Sequence, residues 1–208
     1  MSLNITWRAK MEATLKILAF AGSTRADSYN QKLLEEASSM VREMGAEVTI
    51  IHLNDYHMPF YDADLEKEEG MPKNAQKLRQ LMIESDAIII ASPEYNSSVS
   101  GILKNTIDWA SRGENGGPSR DAFKEKNFAI MSASPSKMGG SRGLKHLRAI
   151  LENVGAIVVP QEVTVSEAHL YFSQEEKKEN PLLRETLEVL LSINALSEEI
   201  DRSCPKGT

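Results

Sequence analysis

The chain of 208 residues has one cysteine, Cys204, so it can form no intramolecular disulfide, and it suits a reducing compartment. Aromatic residues are scarce at 6%, and no apolar run approaches the roughly 18 residues that a membrane-spanning helix needs. A positive excess is also lacking. Against 30 acidic residues stand 24 lysines and arginines, for a net charge of -6, which argues against general affinity for nucleic acid or anionic membrane. A cytoplasmic protein with neither kind of partner is expected. What is present is ordinary for a soluble globular protein, with 41% hydrophobic and 26% charged residues. Arg8, Lys10 and Lys16 precede the apolar "ILAFAG", but this run is shorter than the ~7 residues of the shortest signal-peptide cores, and Glu12 interrupts the basic segment. Residues 1–13 read as an N-terminal extension and 14–208 as a single domain.

Five short apolar runs alternate with helical patterns. "LKILAFA" (15–21), "EVTIIHL" (47–53), "DAIIIAS" (86–92), "NFAIMSA" (127–133) and "AIVVPQEVTV" (156–165) are nearly continuous in apolar residues, as strands covered on both faces should be. Between and after them, 28–44, 72–84, 99–111, 140–154 and 181–202 carry apolar residues at helical spacing; Gly45 and Gly155 stand as stops. Such alternation predicts an α/β fold, a doubly wound parallel sheet with helices on both faces. Five strands favour the flavodoxin-like order 2-1-3-4-5. Residues 53–71 and 112–121 read as long connections. His52 and His57 have no acidic or histidine partner at ligand spacing, so no metal is expected.

The stretch "AGSTRADSYNQKLL" (21–34) leaves the first strand through small and hydroxylated residues before a helix begins. Ser28 followed by Gln31 has the form of a capping box, which puts the helix start at Ser28. In an open parallel sheet, ligands sit beyond the carboxyl ends of the strands where strand order reverses, and this loop lies there. Free backbone N–H groups and the helix dipole make such a terminus a phosphate site. Ser23 and Ser28 offer hydroxyls, Arg25 a charged fork and Asn30 an amide. Neither G-x-x-x-x-G-K-[ST] nor G-x-G-x-x-G occurs here, so neither a Walker loop nor the usual dinucleotide fingerprint is present. A capped polar turn would account for Ser28 and Gln31 but not for Arg25 and Ser23.

A second loop, "SPEYNSSVSGILKNTIDWASR" (92–112), follows the third strand. Together with G-S-x-R-x-x-S-x-N at 22–30, it resembles the NADPH-dependent FMN reductase family, which includes quinone, azo-dye and chromate reductases. The match runs through Pro93, Glu94, Tyr95, Asn96, Gly101, Leu103, Lys104, Asn105, Ile107, Asp108, Trp109, Ser111 and Arg112. It extends through "MPFYDADLE" (58–66) and "GGSRGLKHLRAILENVGAIVVP" (139–160), covering about residues 15 to 165.

The resemblance implies that Ser23, Arg25, Ser28 and Asn30 hold the FMN phosphate, with Tyr29 among the cofactor-binding residues. It assigns Pro93, Glu94, Tyr95 and Asn96 to the isoalloxazine ring. The third loop, "SASPSKMGG" (132–140), should border the same ring through Ser132, Ser134 and Gly139; here Ser136, Lys137 and Met138 stand where the family more often has a glycine near Pro135. The implied activity is NAD(P)H oxidation, with ping-pong hydride transfer through flavin N5 to a quinone, azo, metal-ion or flavin acceptor. No catalytic side chain is required, because the flavin supplies the chemistry. A non-catalytic flavodoxin-type carrier, a flavin-based redox sensor and a flavin-free phosphate-binding domain are the alternatives. A terminal phosphate so enclosed favours FMN over FAD. The resemblance further implies a homodimer or homotetramer, with the helix at 99–111 and its Trp109 facing a partner subunit.

Overall fold

The computed structural model describes residues 14–173 and 180–203; the expected extension at 1–13, and Cys204, lie outside the described residues. Five parallel strands form one sheet: β1 (Lys16–Ala21), β2 (Glu47–Ile51), β3 (Ala87–Ala91), β4 (Asn127–Ala133) and β5 (Ile157–Val165). Their order is β2-β1-β3-β4-β5, as expected. Strand order reverses between β1 and β3, which pair from Ile17 with Ala87 to Ala21 with Ala91.

Alternation along β1 shows why helices must cover both faces. Leu15, Ile17, Ala19 and Ala21 pack on α1 (Tyr29–Glu43) and α7 (Pro181–Ser203), meeting Leu33, Leu34, Val41, Leu183 and Leu187. Leu18 and Phe20 point the other way, towards α3 (Lys73–Glu84), α4 (Gly101–Ala110) and α5 (Ser141–Asn153), meeting Leu78, Leu103, Ile107 and Leu144. Each such side chain, when fully buried, contributes about 1.5–3 kcal/mol. The inner strand β3 is buried at every position, whereas the edge strand β2 alternates.

β5, at the other edge, carries Pro160 at a register shift opposite Phe128 and Ile130. Proline lacks the ladder N–H and is tolerated at such an edge irregularity. Arg148 on α5 donates to the carbonyls of Val158, Val159 and Pro160 and to Glu162, so polar groups displaced there find partners.

One helix arises in a segment read as a connection. α2 (Ala63–Glu69) is capped by Asp62, whose carboxylate accepts from the N–H groups of Asp64 and Leu65, and it ends at Gly70 with φ +75°. A single turn, α6 (Ala168–Tyr171), follows β5. No helix among the described residues is long and apolar enough to cross a membrane.

Candidate functional site

Three loops leave the carboxyl ends of β1, β3 and β4 side by side. Gly22 joins the first two: its N–H donates to Ala91 O at 2.9 Å, and Ser100 Oγ donates to its carbonyl at 2.6 Å. A Cβ on Gly22 would lie 3.0 Å from Leu103 Cδ2 and 3.3 Å from Pro93 Cδ, so any larger residue would press against both loops' packing. Asn30 joins the first loop to the third. Its side-chain amide donates to Ala133 O at 2.9 Å and accepts from Ala133 N at 3.0 Å, 103 residues away.

In the first loop Ser28 caps α1, accepting from Gln31 N at 3.4 Å, as its spacing predicted. Ser23 Oγ accepts from Arg25 N, and Asn54 holds the Thr24 carbonyl from the β2 side. Asp27 pairs with Lys32 at 2.6 Å, and the Lys32 hydrogen bond is the main reason its carboxyl is held below the ordinary value. That pairing leaves Arg25 exposed, and none of the hydrogen bonds or ion pairs among the described residues engages its guanidinium. Tyr29 stacks on Phe172, with ring centroids 5.9 Å apart, and Lys32 Nζ lies 5.5 Å from its ring centre.

The second loop turns tightly. Tyr95 and Ser98 exchange backbone hydrogen bonds of 2.9 and 3.1 Å around Asn96 and Ser97, at φ +50° and +63°. Two successive left-handed residues make a two-residue hairpin turn of the mirror-image type. Tyr95 is left 48% exposed at its base. Glu94 is aimed elsewhere: its carboxylate accepts from the backbone N–H groups of Arg142 and Gly143, both at 3.0 Å.

In the third loop Ser134 Oγ bonds both the hydroxyl and the N–H of Ser136. Gly139 has φ +58° and lies against Thr164 and Ser166. Ser132 is fully buried, and its hydroxyl has no hydrogen-bond partner among the described residues. Met138, half exposed, completes this rim.

Three helices therefore start at this edge, and their orphan N–H groups fare differently. α4 is capped by buried Ser100, which accepts from Leu103 N. α5 is filled by Glu94. α1 has a hydroxyl cap and, beside it, an exposed arginine that makes no hydrogen bond or ion pair among the described residues and acts on Asp27 through its charge alone.

The residues 102–112 of the sequence match do something else. Pro59 O accepts from Asn105 Nδ2 at 2.9 Å and from Trp109 Nε1 at 2.8 Å, while Tyr61 N donates to Asn105 Oδ1 at 2.8 Å. Arg112 grips Glu66 through Nε and Nη2, the shortest contact being 2.7 Å, and lies 5.2 Å over the Tyr61 ring. Arg112 holds the Glu66 carboxyl below its ordinary value, and burial pushes the Tyr61 hydroxyl up. This corrects the expected role of Trp109. The indole is wholly buried against Met71 and Ala75 and edge-on to Tyr61, so it cannot face a partner subunit. Its neighbours at 58–66 supply the surface that was expected from another chain.

A cavity of about 530 Å³ lined by Tyr56, Gln76, Lys77, Gln80, Leu81 and Glu114 shares no residue with the three loops.

The family model for NADPH-dependent FMN reductases matches residues 15–170, which include all three loops and the 58–66 segment. The chain belongs to this family. Across 186 residues it is 33% identical to the NAD(P)H-dependent FMN reductase of Pseudomonas aeruginosa, covering 86% of this chain and 95% of that one. It is 34% identical over 152 residues to the quinone reductase of Escherichia coli, covering 72% of this chain and 76% of the relative. In fold it is similar to FerB, a flavoenzyme NAD(P)H:(acceptor) oxidoreductase from Paracoccus denitrificans, with a TM-score of 0.68 at 23% identity over 89% of this chain and 98% of that one. Membership makes the chain an oxidoreductase that works with FMN and NAD(P)H on small-molecule acceptors.

Proposed function

We propose that the domain at 14–208 binds FMN with its phosphate at the start of α1 and its ring across the second and third loops. The observation that carries this reading is the unequal state of the three helix termini. All three are capped from within the chain, but only α1 has beside its cap an exposed arginine, Arg25, whose guanidinium makes no hydrogen bond or ion pair among the described residues, together with the Ser23 hydroxyl. A terminal phosphate fits that donor set, because a dianion needs several direct donors and a helix dipole offers them without desolvating a carboxylate. The ring fits the exposed apolar faces of Tyr95 and Met138, one from each adjoining loop.

Bound FMN would accept hydride at N5 from NAD(P)H and pass electrons on to the acceptor. The chain's own work is to anchor the phosphate, orient the ring and leave one ring face open for reductant and acceptor in turn. Turnover is ping-pong, with quinone, azo, metal-ion or flavin acceptors sharing the open face. FMN is preferred to FAD, since the donors around Arg25 enclose a chain end. The protein works as a homo-oligomer whose contact does not include Trp109.

Flavin absorbance of the purified protein and titration with FMN and FAD test the cofactor; tighter FAD binding sinks the phosphate assignment. Initial rates of NADPH oxidation with a benzoquinone test the reaction. Parallel double-reciprocal lines are expected, and no steady NADPH consumption would leave a carrier or a sensor in place of an enzyme.

A further inference from the structure

Glycine at the start of α5 leaves that helix without a cap of its own. Gly140 is the N-cap residue at φ +88°, and a Cβ there would collide with Ser132 Oγ. No serine, aspartate or asparagine can stand at this position, so the usual capping side chains are excluded. Glu94 supplies the cap from 48 residues upstream, taking the N–H groups of Arg142 and Gly143. These are the second and third helical residues, the donors that an N-cap side chain ordinarily satisfies. Its other oxygen lies 3.5 Å from Arg142 Nε, and the Glu94 side chain is only 14% exposed.

Two further contacts close the same seam. Gly143 allows the approach, since a Cβ there would lie 3.2 Å from both Glu94 Cβ and Ser98 O. His146 Nδ1 and Ser98 Oγ share a hydrogen bond of 3.0 Å. The first two turns of α5 thus rest on residues 94–98, and the carboxylate is the charged link between them.

We propose that Glu94 is a positioning residue: its carboxylate acts as the internal anion of α5, fixing the ring loop against that helix and keeping the helix terminus from the cofactor's phosphate. This rests on the reading that flavin binds at this edge. The carboxylate offsets both the positive end of α5 and the Arg142 guanidinium. Without its charge, those two positive groups stand beside the ring uncompensated and favour reduced flavin, which carries the extra negative charge.

Hydrogen exchange of the flavin-free protein and redox titration of the FMN-loaded protein test this. In Glu94→Ala the amides of Arg142 and Gly143 should exchange at least about tenfold faster while those of the last α5 turn stay unchanged, and FMN should bind about tenfold more weakly. Glu94→Gln keeps an acceptor for both amides, so it should restore exchange protection and most of the affinity, yet shift the flavin midpoint potential to a more positive value. A merely structural role would not move that potential in a folded, FMN-binding variant. Wild-type exchange in Glu94→Ala, or an unshifted potential in Glu94→Gln, overturns the proposal. A wild-type protein that takes up no FMN overturns the flavin reading itself, a result distinct from either.

Discussion

The loop at 22–30 and helix α4 both lie beside the same sheet edge and both belong to the matched sequence, yet their polar side chains are used in opposite ways. On α4 and just past its end, Asn105, Trp109 and Arg112 are engaged by residues 59–66 of the same chain. On the loop after β1, Arg25 is exposed and outside the hydrogen bonds and ion pairs among the described residues, while Ser28 and Asn30 below it are buried and hold the backbone in place. A polar group engaged by its own chain contributes to the fold, whereas an exposed one outside such bonds adds little to folding and stays available to solvent or to a ligand. The contrast separates residues that build the platform from those that the proposed function assigns to the cofactor, although a sequence motif marks both alike.

Trp109→Ala should break the platform most severely. Emptying a fully buried aromatic site costs about 3–5 kcal/mol, and here the indole hydrogen bond to Pro59 is lost as well. Urea denaturation monitored by circular dichroism should show the midpoint falling steeply. Were Trp109 instead a subunit contact, the loss would appear in sedimentation with stability nearly unchanged.

Glu66→Ala comes next. It leaves Arg112, whose side chain is 19% exposed, without its carboxylate, and the cost should be about 2 kcal/mol, below the 3–5 of a wholly buried pair. The pair also gives stability a pH dependence of known sign. Arg112 lowers the folded-state pKa of Glu66, so the contribution is fully present above the unfolded carboxyl value and is lost as pH falls through the lower folded one. Stability of the wild type should therefore decline through that acid window, and Glu66→Gln should flatten the decline. An equal slope in both proteins would remove the ion pair from the account.

The sheet and its main helices were legible because their signals are local. The unbroken run "AIIIA" and the helical spacing of Leu33, Leu34, Ala37 and Val41 are each read from a few neighbouring residues, and Ser28 caps where its spacing places it. α2 was not legible by period, being seven residues long with an acidic outer surface, although Asp62 and Gly70 mark its ends. The site was legible as loops, and less so as side-chain roles. Asn30 reaches Ala133, Glu94 reaches Arg142 and Gly143, and Trp109 reaches Pro59; these bonds span tens of residues and leave no local pattern. The apolar face of α4 was visible, but whether it met this chain or another was not.

Arg25→Ala tests the other half of the contrast. A charge-assisted hydrogen bond to phosphate contributes about 1.5–3 kcal/mol, so FMN should bind one to two decades more weakly. Thermal stability without flavin should stay within about 0.5 kcal/mol of wild type, as for surface changes generally. Isothermal titration together with a flavin-free melt reads both. Unchanged affinity would make Arg25 an idle surface residue and erase the distinction between loop and platform.

Lys104→Ala should have the smallest effect, and it sharpens the contrast within α4 itself. Lys104 bonds Asp108 one turn on at 2.6 Å, with the two side chains 48% and 32% exposed. Such an exposed i,i+4 pair contributes about 0.3–0.5 kcal/mol and is screened by salt. Unlike Asn105, Trp109 and Arg112, it bonds no other segment among the described residues, so neither the 58–66 loop nor the proposed flavin site should feel its removal. Urea midpoints at low and at 0.5 M salt should converge, since salt has already weakened the pair in the wild type. Sedimentation of the same variant gives the result a second use. Unaltered association would place the subunit contact away from this stripe of α4; a shift towards monomer, at a stability cost this small, would locate it here, on the side of the helix that the 58–66 loop leaves uncovered.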